Sequence, residues 1–197
     1  MKTLMLLLLL STISISMGQP SPDPVRDLDG NLVRAGTEYY ILPVFRGRGG
    51  GVTYGRRRNE SCPLDVVQAD LEIDNGLPVT FTPVDPKKGV IRESTDQNII
   101  FSAASICFQS NVWMLELYDG EFVVSGRGVA GNPGRETISN WFKIEKYEGD
   151  YKLVFCPTVC DFCKPVCGDI GVLIDESTGR RRLAISEVPF KIMFKKA

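Results

Sequence analysis

The segment Tyr151-Lys152-Leu153-Val154-Phe155 carries a large apolar side chain at every second position. Phe190-Lys191-Ile192-Met193-Phe194 repeats this spacing near the C-terminus. Successive side chains of a β-strand point to opposite faces, so a period of two places the aromatic and branched groups of each segment on one face. Both segments are therefore predicted to be half-buried β-strands.

Similar short apolar segments recur along the whole chain and are separated by turn signals such as Asp29-Gly30, Asn75-Gly76 and Asp119-Gly120. With about eleven strands in a chain of 197 residues, 43% of them hydrophobic, we predict a single all-β domain, either a barrel or a sandwich. The other predicted strands are Tyr39–Val44, Val66–Ala69, Val79–Thr82, Ile99–Ser102, Trp113–Leu117, Phe122–Ser125, Phe142–Ile144, Gly171–Asp175 and Leu183–Ser186.

Residues 1–18 are typical of an export signal. Lys2 supplies the positive start, Thr3–Ile15 contains six leucines, and Ser16-Met17-Gly18 has the small-x-small pattern of a signal peptidase site. The apolar run is shorter than the ~20 residues of a membrane span, so a retained anchor is the less favoured alternative. We expect a mature domain over residues 19–197 that is secreted or delivered to a vacuole and does not bind membranes.

The cysteines point to the same oxidising compartment. Four of the six lie in the cluster Cys156-x3-Cys160-x2-Cys163-x3-Cys167, and Cys62 and Cys107 stand alone. An even number in an exported chain predicts three disulfides, whereas a zinc site usually has a long gap between two Cys-x2-Cys pairs, which is missing here. We expect neither a metal nor a cofactor. Asn59-Glu60-Ser61 matches a glycosylation sequon, so Asn59 is a predicted glycosylation site.

The sequence offers little catalytic chemistry. With no histidine in the chain, Ser-His-Asp and Cys-His nucleophile systems are excluded, and we predict that the protein is not an enzyme. Asp70 and Glu72 are interpreted as solvated strand residues. The glycine-rich run 47–51 lacks the ending of a phosphate loop and is interpreted as a mobile connection. The net charge of -1 gives no reason to expect nucleic acid as a partner, and the arginine runs 56–58 and 180–182 are interpreted as solvated surface.

Seven motifs, spread over most of the chain, carry a family resemblance. They are Val25-x-Asp27-x-Asp29-Gly30-x-Leu32, Gly36-Thr37-x-Tyr39-Tyr40-Ile41-Leu42, Cys62-Pro63-x-x-Val66-Val67-Gln68, Trp141-Phe142-Lys143-Ile144, Tyr151–Pro157, Cys167-Gly168-Asp169-Ile170-Gly171 and Arg181-Arg182-Leu183-Ala184. Through them the chain resembles the plant Kunitz (soybean trypsin inhibitor) family. The segments 131–134 and 136–139 and the four-cysteine cluster are similar to its miraculin-like members.

The resemblance implies a β-trefoil of twelve strands, six that close a barrel and six that cap it as hairpins. It also implies the disulfide pairs Cys62–Cys107, Cys156–Cys167 and Cys160–Cys163. Six cysteines allow many pairings, and these three pairs come from the resemblance alone.

Inhibitors of this family present an exposed loop that enters a protease active site as a substrate does. The resemblance places this loop between the strands Val79–Thr82 and Ile99–Ser102, around Asp85-Pro86-Lys87-Lys88-Gly89, and aligns Lys87 with the primary specificity residue. A long cation fits the buried carboxylate of a trypsin-like specificity pocket. The resemblance thus implies an inhibitor of a trypsin-like serine protease, and together with the export signal we expect a secreted monomer.

One position departs from the family's strong inhibitors. They carry an asparagine whose side chain holds the loop, and this chain has Ala35 at that position. Gly89 adds a flexible residue within the loop itself. A non-inhibitory trefoil protein of the miraculin-like type, with a storage, defence or partner-binding function, is therefore the alternative that the sequence leaves open.

Overall fold

A computed structural model of the protein describes residues 21–57 and 60–197, so the export signal and Asn59 lie outside the described residues. None of the described residues belongs to a helix with the length and apolar character needed to cross a membrane. Strands dominate, and a short 3₁₀ helix covers Arg135–Asn140. The strands are β1 (Tyr39–Pro43), β2 (Val52–Arg57), β3 (Glu60–Gln68), β4 (Val79–Pro83), β5 (Gln97–Phe101), β6 (Met114–Tyr118), β7 (Glu121–Ser125), β8 (Lys143–Tyr147), β9 (Asp150–Phe155), β10 (Gly168–Ile174), β11 (Arg181–Ile185) and β12 (Ile192–Lys196).

Six of these strands form a closed ring of antiparallel neighbours in the order β1, β4, β5, β8, β9, β12. The ring closes where β1 pairs with β12 over five residues, from Tyr39 opposite Lys196 to Pro43 opposite Ile192. Reciprocal hydrogen bonds between Gln97 and Phe142, 2.9 and 3.0 Å long, join β5 to the start of β8. Because the ring is closed, the barrel leaves no free sheet edge at the seam between its first and last strands.

The other six strands form the hairpins β2–β3, β6–β7 and β10–β11. Their second strands contact one another in a triangle, in which β3 pairs with β7, β7 pairs with β11, and β11 pairs with β3. Three such hairpins on a six-stranded barrel make a β-trefoil, which confirms the fold that the resemblance implies. Eleven of the twelve strands overlap a segment predicted from apolar spacing.

Aromatic side chains fill the centre of the molecule. Phe81 and Phe194 meet edge to face with ring centroids 5.6 Å apart, and Phe142 meets Phe155 at 5.5 Å in the same geometry. Such pairs contribute about 0.5–1.5 kcal/mol each beyond the burial of their surface. Phe142, Leu153 and Phe155, which belong to segments recognised from their spacing, are buried, and so is Trp141, which follows the 3₁₀ helix.

Strand β2 is the one that apolar spacing did not predict. It follows the glycine run 47–51. The interpretation of this run as a mobile connection is wrong for its last three residues, because Gly49, Gly50 and Gly51 are buried. A Cβ atom on Gly50 would lie 2.2 Å from the carbonyl oxygen of Asp74, and one on Gly51 would lie 2.1 Å from that of Asn75. The glycines therefore allow two backbone segments to pack against each other.

Three disulfides link the pairs that the resemblance implies. Cys62–Cys107 joins β3 to the segment after β5, across 45 residues of sequence. Cys156–Cys167 and Cys160–Cys163 are nested in the segment between β9 and β10. A cross-link that closes a loop of this first length restricts the unfolded chain and contributes on the order of 4 kcal/mol in the chain-entropy model.

The interpretation of the arginine runs as solvated surface is wrong for Arg57 and Arg182, which are both buried. The Nε atom of Arg57 donates a hydrogen bond of 2.8 Å to Oδ1 of Asp65, and its Nη2 contacts Glu116. Burial raises the pKa of Asp65, and the Arg57 guanidinium opposes that rise. Both guanidinium groups also face the ring of Tyr118, Arg57 at 4.3 Å and Arg182 at 5.9 Å from its centroid.

This buried ion pair generates a stability prediction. Arg57→Ala leaves the fully buried Asp65 carboxylate without its partner, and we expect the free energy of unfolding in urea to fall by about 3–5 kcal/mol. The exposed neighbour Arg56 provides the matched control, and Arg56→Ala should change stability by less than about 0.5 kcal/mol. Equal losses in the two variants would show that the pair with Asp65 is not the cause.

Candidate functional site

The segment proposed from sequence as the protease-binding loop is the exposed connection between β4 and β5. Residues 84–89 are all exposed, so the structure brings Asp85, Pro86, Lys87, Lys88 and Gly89 together at one surface position. The flanking strands are paired over five residues, from Val79 opposite Phe101 to Pro83 opposite Gln97. The loop therefore projects from a rigid hairpin of the barrel.

The tip of the loop is a tight turn built by its own residues. The backbone N–H of Lys88 donates to the carbonyl of Asp85 at 3.0 Å, and the N–H of Lys87 donates to Oδ1 of Asp85 at 3.2 Å. Aspartate at the first position and proline at the second are the residues that a type I turn favours. Lys87 thus occupies the third position of this turn, with its ammonium group exposed to solvent.

Main-chain hydrogen bonds hold both ends of the loop. On one side the N–H of Val84 donates to the carbonyl of Asp96 at 2.9 Å. On the other side the N–H of Ala35 donates to the carbonyl of Gly89 at 3.1 Å, and the N–H of Ile91 donates to the carbonyl of Val33 at 2.9 Å. Gly89, expected to be a flexible point, is in this way tied to the segment that contains Ala35.

The centre of the loop has no such external support. Among the described residues, no hydrogen bond reaches the carbonyl oxygens of Pro86, Lys87 and Lys88, and no side chain from outside the loop bonds to residues 85–88. Ala35 lies beside this region, but its methyl group packs against the hydrophobic core and has no polar atom to offer. Its N–H supports the loop only at Gly89.

The N-terminal segment, which begins at Ser21 where the described part of the chain starts, lies next to the loop. A cavity of about 330 Å³ separates the two and is lined by residues that include Pro22, Val84 and Lys88. Arg92, the other cation near the loop, donates from Nη1 to the carbonyl of Pro22 at 2.7 Å. Arg92 is therefore engaged with the N-terminal segment, whereas Lys87 points freely outward. Sequence reasoning did not identify Pro22 or Asp96 as supports, because their contacts carry no local motif.

The other residues singled out from the sequence, Asp70 and Glu72, do not form a catalytic or metal-binding site in the described structure. Asp70 and Glu72 are exposed, although they follow the end of β3 and do not belong to a strand. Oε2 of Glu72 accepts a hydrogen bond of 2.9 Å from the N–H of Gly47. Within the described part of the chain, no three histidine, cysteine, aspartate or glutamate residues are grouped so that they could hold a metal ion.

Residues 25–196 match the profile of the Kunitz legume family, whose description is trypsin and protease inhibitor. The chain belongs to this family. It is 47% identical to Kunitz trypsin inhibitor 5 of Arabidopsis thaliana over the full length of both proteins. It is 50% identical to miraculin of Synsepalum dulcificum, with 92% of this chain and 87% of miraculin covered.

Solved structures lead to the same family. The rice bifunctional alpha-amylase/subtilisin inhibitor from Oryza sativa superposes with a TM-score of 0.74 at 38% identity, covering 90% of this chain and all of the rice protein. Members of the Kunitz family are inhibitors and not enzymes, which confirms the prediction made from the missing histidines.

The unsupported loop centre of this Kunitz protein generates a second prediction. Ala35→Asn places an amide at the residue whose N–H already holds Gly89, and each hydrogen bond that this amide donates to a loop carbonyl should strengthen binding to trypsin by about 1 kcal/mol. Slower cleavage between Asp85 and Val90 should accompany this gain, measured by mass spectrometry during incubation with trypsin. Ala35→Ser, with a shorter polar side chain, is the control and should give a smaller effect. Unchanged binding and cleavage in Ala35→Asn would show that the loop is held rigid in another way.

Proposed function

We propose that this Kunitz protein inhibits a trypsin-like serine protease by inserting Lys87 into the specificity pocket of the enzyme. The observation that carries the proposal is the position of Lys87, an exposed cation at the tip of a turn whose two ends are fixed to the barrel. A lysine side chain is long enough to reach the buried carboxylate at the bottom of a trypsin-like pocket.

The backbone of the loop supports the same mode of binding. The carbonyl of Lys87 is free of hydrogen bonds among the described residues, so it can point into an oxyanion hole. Docking as an extended substrate requires that the N–H of Lys87 leave Oδ1 of Asp85 and that the bond between Lys88 and Asp85 open. Each bond is worth about 1 kcal/mol, and this cost moderates the affinity.

Inhibition, as distinct from simple cleavage, depends on keeping the loop ends in place. If the protease hydrolyses the bond between Lys87 and Lys88, the bonds at Val84 and Gly89 still hold both new ends near their original positions. A short separation between the new carboxylate and amine favours rejoining over release, because little translational freedom has been gained.

The compartment is part of the proposal. Three disulfides in a chain of this size support a protein that folds and acts in an oxidising environment, outside the cell or in the vacuole. A protease released by an attacking organism or stored in the same compartment is the class of target that such an inhibitor would meet.

A non-inhibitory function is the second candidate, and a specific observation favours it. Ala35 leaves the loop centre without a polar support, and miraculin is as similar to this chain as the Arabidopsis inhibitor is. In this case the loop would be cleaved by trypsin without forming a stable complex.

Titration of the mature protein against trypsin tests the proposal. Lys87→Ala removes the cation that pairs with the pocket carboxylate, and we expect binding to weaken by about 2 kcal/mol or more, roughly thirtyfold. Lys88→Ala is the matched control from the same turn, and Arg92→Ala controls for the cation held by Pro22; both should bind nearly as well as the wild type. If Lys88→Ala proves the damaging change, Lys88 is the anchor instead. If no variant differs from the wild type, the non-inhibitory function is supported.

A further inference from the structure

A second exposed loop leaves the opposite end of strand β5. Residues 102–110 follow Phe101, whereas the Lys87 turn precedes Gln97 at the other end of the strand. Two apolar side chains of this second loop face solvent, Ile106 at 76% and Phe108 at 114% of full exposure. No other large hydrophobic residue in the described part of the chain is as exposed as Phe108. The whole ring of Phe108 is therefore available for contact with a partner.

The residues on both sides of Phe108 are fixed to the body of the protein. Cys107 is bonded to Cys62 in β3. The side chain of Gln109 accepts a hydrogen bond of 2.6 Å from the N–H of Leu64 and donates one of 3.0 Å to the carbonyl of Gly126. Phe108 is therefore held between a covalent link and a bidentate amide, and little conformational freedom remains to be lost on binding.

The backbone of this loop alternates between used and free hydrogen-bonding groups. The N–H of Cys107 donates to Oγ of Ser105 at 3.1 Å, and its carbonyl accepts from the N–H of Gln109 at 2.8 Å. The N–H and C=O groups of Ile106 and Phe108 have no hydrogen-bond partner among residues 21–57 and 60–197. The free groups of Ile106, which lies just before the bend at residues 107–109, are available to a partner that pairs with it as a strand.

The hydrogen bond from Gln109 to Cys107 closes a three-residue turn with Phe108 at its apex. Phe108 is not among the residues with positive φ, so the turn is of the common inverse type and the backbone is unstrained. Its side chain is fully exposed at this apex, and its carbonyl oxygen accepts no hydrogen bond from the described residues.

From these features we propose that Phe108 anchors a second protease-binding site, directed at serine proteases whose primary specificity pocket is an apolar slot. The ring fills the slot, the free carbonyl of Phe108 faces the oxyanion hole, and the backbone of Ile106 pairs with the substrate-binding strand of the enzyme. The site is separate from the Lys87 turn, because an apolar slot does not accommodate a lysine cation and a carboxylate-lined pocket gains nothing from phenylalanine.

Chymotrypsin is the probe that tests this site, and Phe162 offers a matched control. Phe162 is also an exposed phenylalanine, at 76%, and it lies inside the loop closed by Cys160–Cys163. We expect Phe108→Ala to weaken binding of the mature protein to chymotrypsin at least tenfold and to leave trypsin binding unchanged. Phe162→Ala should alter neither, and all variants should keep the wild-type melting temperature because both rings lie in solvent.

Three further measurements separate this proposal from the function proposed for Lys87. Lys87→Ala should retain chymotrypsin binding, and native mass spectrometry should detect a complex with one trypsin and one chymotrypsin. In a Lys87→Ala background, Phe108→Lys should create trypsin binding at the second site. The proposal is overturned if the wild type fails to bind chymotrypsin, if Phe162→Ala weakens binding as much as Phe108→Ala, or if Lys87→Ala abolishes chymotrypsin binding. If Lys87→Ala loses trypsin binding and keeps chymotrypsin binding, the result supports the function proposed for Lys87 and leaves the Phe108 site intact.

Discussion

The antiparallel pairing of β1 with β12 is the constraint on which the rest of the molecule depends. Five residues of the first strand lie opposite five of the last in an antiparallel ladder, and this pairing closes the barrel around the aromatic core. Closure also fixes the segment that precedes β1, since the N–H of Leu28 donates to the carbonyl of Phe194 and the N–H of Val25 to that of Ile91. The same segment supplies Val33 and Ala35, which hold the Lys87 loop. The seam between β1 and β12 thus supports the loop that we propose to bind a protease.

The two exposed loops beside β5 achieve their shapes in different ways. In the turn 85–88 the N–H groups of Lys87 and Lys88 both bond to Asp85, so a partner that binds the turn as a strand must first open these local hydrogen bonds. The segment around Phe108 also contains local hydrogen bonds, but in addition it is held by the distant groups Cys62 and Gly126, and the N–H and C=O groups of Phe108 have no partner among the described residues. The disulfide and the Gln109 side chain hold the second loop directly beside Phe108, whereas the Lys87 turn is held from outside only at its two ends, Val84 and Gly89.

Sequence reasoning predicted those parts of the fold in which local spacing decides the structure. Residues such as Leu153 and Phe194 alternate with less apolar neighbours, and their strands were recognised for that reason. Strand β2 was missed because its position depends on glycines that approach residues 74 and 75, a contact between distant segments. The burial of Arg57 was missed for a similar reason, since its partner Asp65 lies across a hairpin and its contact Glu116 lies in another. The Lys87 loop was placed through family resemblance, and the loop around Phe108 carries no motif that the sequence alone would reveal.

Overall sequence identity does not tell which protease or other partner a Kunitz protein binds. The residues that fill the barrel and form the disulfides are constrained by packing, and the nearly equal identities to an Arabidopsis trypsin inhibitor, 47%, and to miraculin, 50%, do not indicate which of the two this chain resembles in function. Loop residues face water and are free to vary, yet they make all of the contacts with a partner. In this chain the discriminating features are few: the methyl group of Ala35, the free carbonyl of Lys87, and an aromatic ring at Phe108 between two fixed neighbours. A rigid loop whose backbone N–H and C=O groups have no internal partner can bind another protein through them, and this feature distinguishes it from a solvated turn.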